Sequence, residues 1–111
     1  MPKKLLAPAH THSLIQERLL SWGRAIQAQR LRTRVTAADL SQRIGVSVAT
    51  LARLERGDPG VGAGAYLTAL LALGILDSAT PPLPAAMVTA PQGKRVRLSA
   101  TERGDRDDEY F

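Results

Sequence analysis

Two hydroxyls and two arginines stand out within residues 36–57. Thr36 and Ser47 each precede a short segment with helical apolar periodicity. There a side-chain oxygen can accept from the backbone N–H groups of the first helical turn, and the same N–H groups attract an anion such as phosphate. Arg53 and Arg56 close the second segment, and a guanidinium is a rigid fork of donors suited to phosphate oxygens and to the O6/N7 edge of guanine. Between the segments stands Gly45. Two short helices joined by a tight glycine turn are the arrangement that sets a second helix into the DNA major groove.

The elements that must hold these groups are also legible. Ser13 with Gln16 makes a capping box, and Leu14, Ile15, Leu19, Trp22, Ile26 and Leu31 recur at helical spacing, which predicts a first helix ending near Arg32. Thr36 caps the second helix, with Asp39 complementing its N-terminal dipole and Leu40 and Ile44 forming its buried face. Gly45 ends that helix in a left-handed conformation. Ser47 caps the third helix, Leu51 and Leu54 are its inward anchors, and Gly57 stops it. A turn-rich loop, Asp58-Pro59-Gly60-Val61-Gly62-Ala63-Gly64, leads to a fourth helix whose stripe is Tyr66, Leu67, Leu70, Leu71 and Leu73. Beyond Leu76 the composition changes. Pro81, Pro82, Pro84 and Pro91 break up a linker that has room for one short helical turn at residues 85–88. The expected organisation is a loose N-terminal arm (1–12), a helical domain (13–77), and a Pro-rich linker with a basic and then acidic tail (78–111) that cannot bury enough apolar surface to fold alone. No internal repeat is visible.

Composition sets the bounds. In 111 residues there is room for one domain and one core, and with aromatics at only 4% that core must be built from Leu, Ile, Val and Ala. The net charge of +5 is unevenly placed. Residues 1–56 carry ten Lys/Arg against three Asp/Glu, and residues 57–111 carry five against seven. A positive half of this kind can neutralise phosphates and release counterions, although a solvated basic surface has the same composition. The absence of cysteine excludes disulfides and thiolate chemistry. The apolar run after Lys4 ends at Pro8, too short for a signal-peptide core, and nothing approaches the roughly 18 apolar residues of a membrane span. These features lead to the expectation of a soluble cytoplasmic protein.

The pattern over residues 23–76 resembles the lambda-repressor-like, or Xre-type, helix-turn-helix family. The match includes the run Trp22-Gly23-Arg24-Ala25-Ile26 with Arg30, Val35-Thr36, Leu40, Gly45-Val46-Ser47, Leu51, and Leu54-Glu55-Arg56-Gly57, about half of the chain. The resemblance implies an all-α, compact four- to five-helix domain with an extended C-terminal tail, and a sequence-specific regulator of transcription bound to double-stranded DNA. It implies that Val48, Ala49 and Arg53 face the bases, with Thr50 and Arg56 toward the sugar-phosphate backbone. It also implies an ion pair between Arg30 and Glu55 that ties the first helix to the third. Arg53 then suits guanine, whereas Val48 and Ala49 offer only apolar contact to a thymine methyl. Thr36 and Ser47 serve as caps and phosphate ligands together. The chain departs from the family at Ala37, where glutamine is usual and a phosphate contact is lost apart from the backbone N–H, and at Ser41, where alanine is commoner.

Other chemistry is weaker. His10-Thr11-His12 lacks further ligands for a metal, and no nucleophile, base and orienting group fall together, so neither metal, cofactor nor catalysis is expected. The alternating Gly60, Gly62 and Gly64 follow a helix and lack the βαβ setting of a nucleotide fingerprint. In the tail, Val96 and Leu98 could add a strand to a partner, and the acidic run ending in Tyr110-Phe111 could dock on a basic surface; a merely solubilising tail is the alternative. The whole layout is similar to HipB-type antitoxins. That likeness implies a homodimer that represses its own operon and binds a HipA-like kinase toxin. A second reading makes the chain chiefly a partner-binding protein acting through its tail, with DNA binding secondary.

Overall fold

The computed structural model describes residues 11–91. The chain divides into two units, Met1–Pro81 and Pro82–Phe111. Every regular element among the described residues is helical: α1 (Ser13–Arg32), α2 (Ala37–Ile44), α3 (Val48–Glu55), a 3₁₀ turn (Pro59–Val61), α4 (Ala63–Ala72) and α5 (Leu76–Ala79) in the first unit, and α6 (Ala85–Val88) in the second. The all-α fold class expected from the sequence is the one observed. In α6, Met87 and Val88 are exposed, as is Leu83 before it.

Local chemistry sets the start of each short helix. The Thr36 hydroxyl accepts from Asp39 N–H at 3.0 Å, and the Ser47 hydroxyl accepts from Thr50 N–H at 3.0 Å. Caps of this kind stabilise by about 1 kcal/mol each. Gly45 ends α2 at φ +77°, and Val46 N–H returns to the Ser41 carbonyl at 3.0 Å. The start of α1 differs from the expected capping box. His12 is its cap, with Nδ1 accepting from Leu14 N–H at 3.0 Å, because an imidazole nitrogen one residue earlier reaches the first-turn donor.

The core is a single cluster of Ile26, Leu40, Leu51, Leu54, Tyr66, Ala69, Leu70 and Leu73, one to four side chains from each of α1, α2, α3 and the α4 segment. Trp22 packs at its edge, with its ring centroid 5.9 Å from that of Tyr66 in a tilted arrangement. Ile75, Leu76 and Ala79 pack against the cluster, so α5 belongs with the core although it lies at the composition change. Two apolar stripes are narrower than expected. In α1 only Gly23 and Ile26 are buried, while Leu14, Ile15 and Leu31 are exposed; in α4, Leu67 and Leu71 turn outward and Ala69 takes an inward place. A 20-residue helix is roughly 30 Å long, more than a core of this size covers.

The tightest contact is between backbones. A Cβ built at Gly23 would lie 2.6 Å from the carbonyl oxygens of both Leu54 and Glu55, so α1 and α3 touch where the side chain is missing. A Cβ at Gly45 would meet nothing within 4 Å, and only its positive φ resists substitution. Gly23→Ala is therefore expected to destabilise the protein by about 2–3 kcal/mol, despite alanine being the better helix former by about 1 kcal/mol. Gly45→Ala should cost about 1–2 kcal/mol from backbone strain alone. Urea unfolding of both variants checks the order, and an unchanged midpoint for Gly23→Ala would contradict the backbone contact.

Candidate nucleic-acid interface

Helix α3 has two unlike sides. Leu51 and Leu54 point into the core, whereas Val48, Ala49 and Ala52 are exposed and, at helical spacing, share one face with Arg56 just past the helix end. Ser47 is exposed and Thr50 half-buried. The Ser47 hydroxyl also donates to the Thr50 hydroxyl at 3.0 Å, which closes a small polar ring at the head of α3. Thr36 is exposed at the head of α2, and Ala37, its first residue, packs against the core. Each of the two eight-residue helices therefore begins with a hydroxyl cap.

The inner side of α3 is fastened to α1 by charge. Arg30 Nε donates to Glu55 Oε2 at 2.8 Å and Nη2 to Oε1 at 3.1 Å, a fork-to-fork pair whose side chains are only 12% and 7% exposed. Nη1 donates to the Val35 carbonyl at 3.3 Å and so ties in the α1–α2 connection. The pKa of Arg30 is raised above its ordinary value, first by the hydrogen bonds to Glu55, with burial opposing and the Glu55 charge adding to the rise.

Arg53 is also paired within the molecule. Its Nε donates to Asp58 Oδ2 at 2.9 Å, while Asp58 Oδ1 accepts from Gly60 N–H at 2.8 Å. The Asp58 carbonyl accepts from the Tyr66 hydroxyl at 2.9 Å, and Tyr66 is wholly buried. Burial first, and then the Asp58 charge, push the Tyr66 hydroxyl well above the ordinary tyrosine range, with Arg53 working the other way, so it remains a donor. Sequence reading alone did not find Asp58 in this role. The two residues are five apart across a turn, a spacing without helical signal, although Asp-Pro-Gly is a recognisable turn. Ala52 was missed as well, though its place four residues after Val48 marks it as a neighbour on the same face.

Of the candidate residues, Thr36, Ala37, Ser47, Val48, Ala49, Thr50, Arg53 and Arg56 lie on α2, α3 and their caps. Val96, Leu98, Tyr110 and Phe111 lie outside the described residues. His12 is used as a helix cap, His10 lies outside the described residues, and no cluster of His, Cys, Asp or Glu fit to hold a metal ion occurs among the described residues.

Two hydroxyl-capped helices joined through a left-handed glycine, with the second locked to the core on one side and bare on the other, define a helix-turn-helix unit. A family model described as a helix-turn-helix domain matches residues 22–83, and the chain belongs to that family. No curated protein and no solved structure matches it. At this coarse level the protein is a DNA-binding regulator. No helix among the described residues is long and apolar enough to cross a membrane.

Breaking a pair this little exposed strands a charge. Glu55→Ala and Arg30→Ala should each destabilise by about 1.5–3 kcal/mol, and the double variant by clearly less than their sum. Chemical denaturation of the three variants measures the coupling, and additive losses would contradict a shared pair.

Proposed function

We propose that the protein is a sequence-specific transcriptional repressor that acts as a dimer and lays α3 in the major groove of double-stranded DNA. The observation that carries this reading is the bare α3 face, held by Arg30 and Glu55 from behind. In this reading the capped heads of α2 and α3, with Thr36, Ala37 and Ser47, receive phosphates through backbone N–H groups and the Thr36 hydroxyl, the Ser47 hydroxyl serving by holding the head of α3 in place. Thr50 and Arg56 stand over the sugar-phosphate backbone. Val48 and Ala49 approach the bases as apolar groups, and Arg53 is the residue able to read guanine. A dimer would place its two α3 helices in half-sites about 34 Å apart on one face of the duplex. Such a regulator works in the cytoplasm, on the chromosome.

The finer reading, an antitoxin that represses its own operon and holds a HipA-like kinase toxin, is supported by the resemblance in layout and by the acidic-aromatic end of the sequence. It assigns toxin binding to the tail and DNA binding to α2 and α3. Truncation after Gly93 should then leave DNA affinity unchanged and abolish capture of the co-expressed kinase; a complex that survives truncation would remove the tail from the interface.

Salt-titrated binding tests the DNA reading. Arg56→Ala should weaken all duplexes alike and lower the salt slope by about 1, whereas Arg53→Ala should cost about 1–3 kcal/mol on the preferred sequence alone. Equal affinity of the unaltered protein for a selected duplex and for random DNA, at every salt concentration, would overturn the repressor reading.

A further inference from the structure

The pairing of Arg53 with Asp58 gives a residue outside α3 a share in reading DNA. We infer that Asp58 is a positioning residue that aims the Arg53 guanidinium at a base edge, an inference that rests on α3 being the DNA-reading helix. Asp58 is held from three sides, at its carboxylate, at its main-chain carbonyl and by the turn that follows it. One oxygen is spent on Gly60 N–H at 2.8 Å, its own backbone carbonyl takes the Tyr66 hydroxyl at 2.9 Å, and the Pro59–Val61 turn begins directly after it. The other oxygen receives Arg53 Nε at 2.9 Å, with the two side chains 33% and 14% exposed. A bond at Nε fixes the plane of a guanidinium and leaves its Nη edge, the edge that makes a two-point contact with guanine O6 and N7, to an outside acceptor. A carboxylate beside a nucleic-acid surface repels phosphate, so its presence lowers bare affinity. What it supplies in exchange is a reader whose rotamer is set before binding, which reduces the ordering cost of the contact.

The orienting role and a merely structural one predict opposite results for Asp58→Asn. An asparagine oxygen can still accept from Gly60 N–H, and the Tyr66 bond goes to the main chain, so the turn should persist; Asp58→Ser, which can also cap Gly60, is measured in parallel, with folding checked by circular dichroism and thermal melting. The probe is a library of randomised duplexes, selected and sequenced with the full chain. Asp58→Asn should lose about tenfold of the base preference at the same base pairs that Arg53→Ala loses, with affinity for non-selected DNA unchanged or higher. In an Arg53→Ala background it should alter the base preference no further. A preference profile like that of the unaltered protein, or a uniform loss on all duplexes, would overturn the inference. So would an Arg53→Ala profile with no lost base pair, which would leave DNA reading by the rest of α3 standing. Failure of the unaltered protein to enrich any sequence would overturn both together.

Discussion

Whatever the outer face of α3 does depends on the contact between Gly23 and the carbonyls of Leu54 and Glu55. The missing side chain lets the α1 backbone approach α3 until a Cβ would collide, which fixes the distance between the helices. Arg30, two turns further along α1, then fixes the rotation of α3 through its fork on Glu55. Glu55 is therefore held at both ends, its carbonyl against Gly23 and its carboxylate on Arg30. Apolar burial of Leu51 and Leu54 supplies the larger part of the attachment, but apolar contact is non-directional. The steric stop and the two-point ion pair turn that attachment into a defined orientation.

A second set of contacts runs from the core outward. Tyr66 is buried beside Trp22, and its hydroxyl reaches the Asp58 carbonyl; the Asp58 carboxylate reaches Arg53. A hydroxyl in such a place must find an acceptor or carry a desolvation penalty of about 1–3 kcal/mol, so the turn after α3 is pinned by the same bond that makes Tyr66 tolerable in the core. The loop between α3 and α4 is thus anchored near its start at two neighbouring residues, Asp58 through Tyr66 and Pro59 through its own burial.

Much of this architecture was legible because it is local. Thr36, Gly45 and Ser47 state their roles by residue type and position, and Leu40, Leu51 and Leu54 by period. Leu14, Ile15 and Leu31 show the limit of periodicity: it marks an apolar face but not whether anything in the chain covers it. Leu67 and Leu71 fail for the same reason. The Arg30–Glu55 pair came from the family resemblance, since residues 25 apart give no spacing signal. The Arg53–Asp58 pair had neither period nor resemblance to announce it, and Gly23 reads as an ordinary helix interruption until α3 is placed against it.

The composition of the α3 surface explains why the setting of one arginine carries so much weight. Val48, Ala49 and Ala52 have no hydrogen-bonding groups in their side chains, and the Ser47 hydroxyl already caps Thr50 N–H and donates to the Thr50 hydroxyl. On the proposed DNA reading, polar discrimination between bases therefore falls to Arg53, with methyl contacts and the shape of the duplex supplying the rest. A mobile arginine in that position would contribute charge to any phosphate within reach and little choice among bases. Fixing its plane through Asp58 converts a general attraction into a directional one. That conversion also explains why an acidic residue is placed so close to a surface that otherwise favours anions.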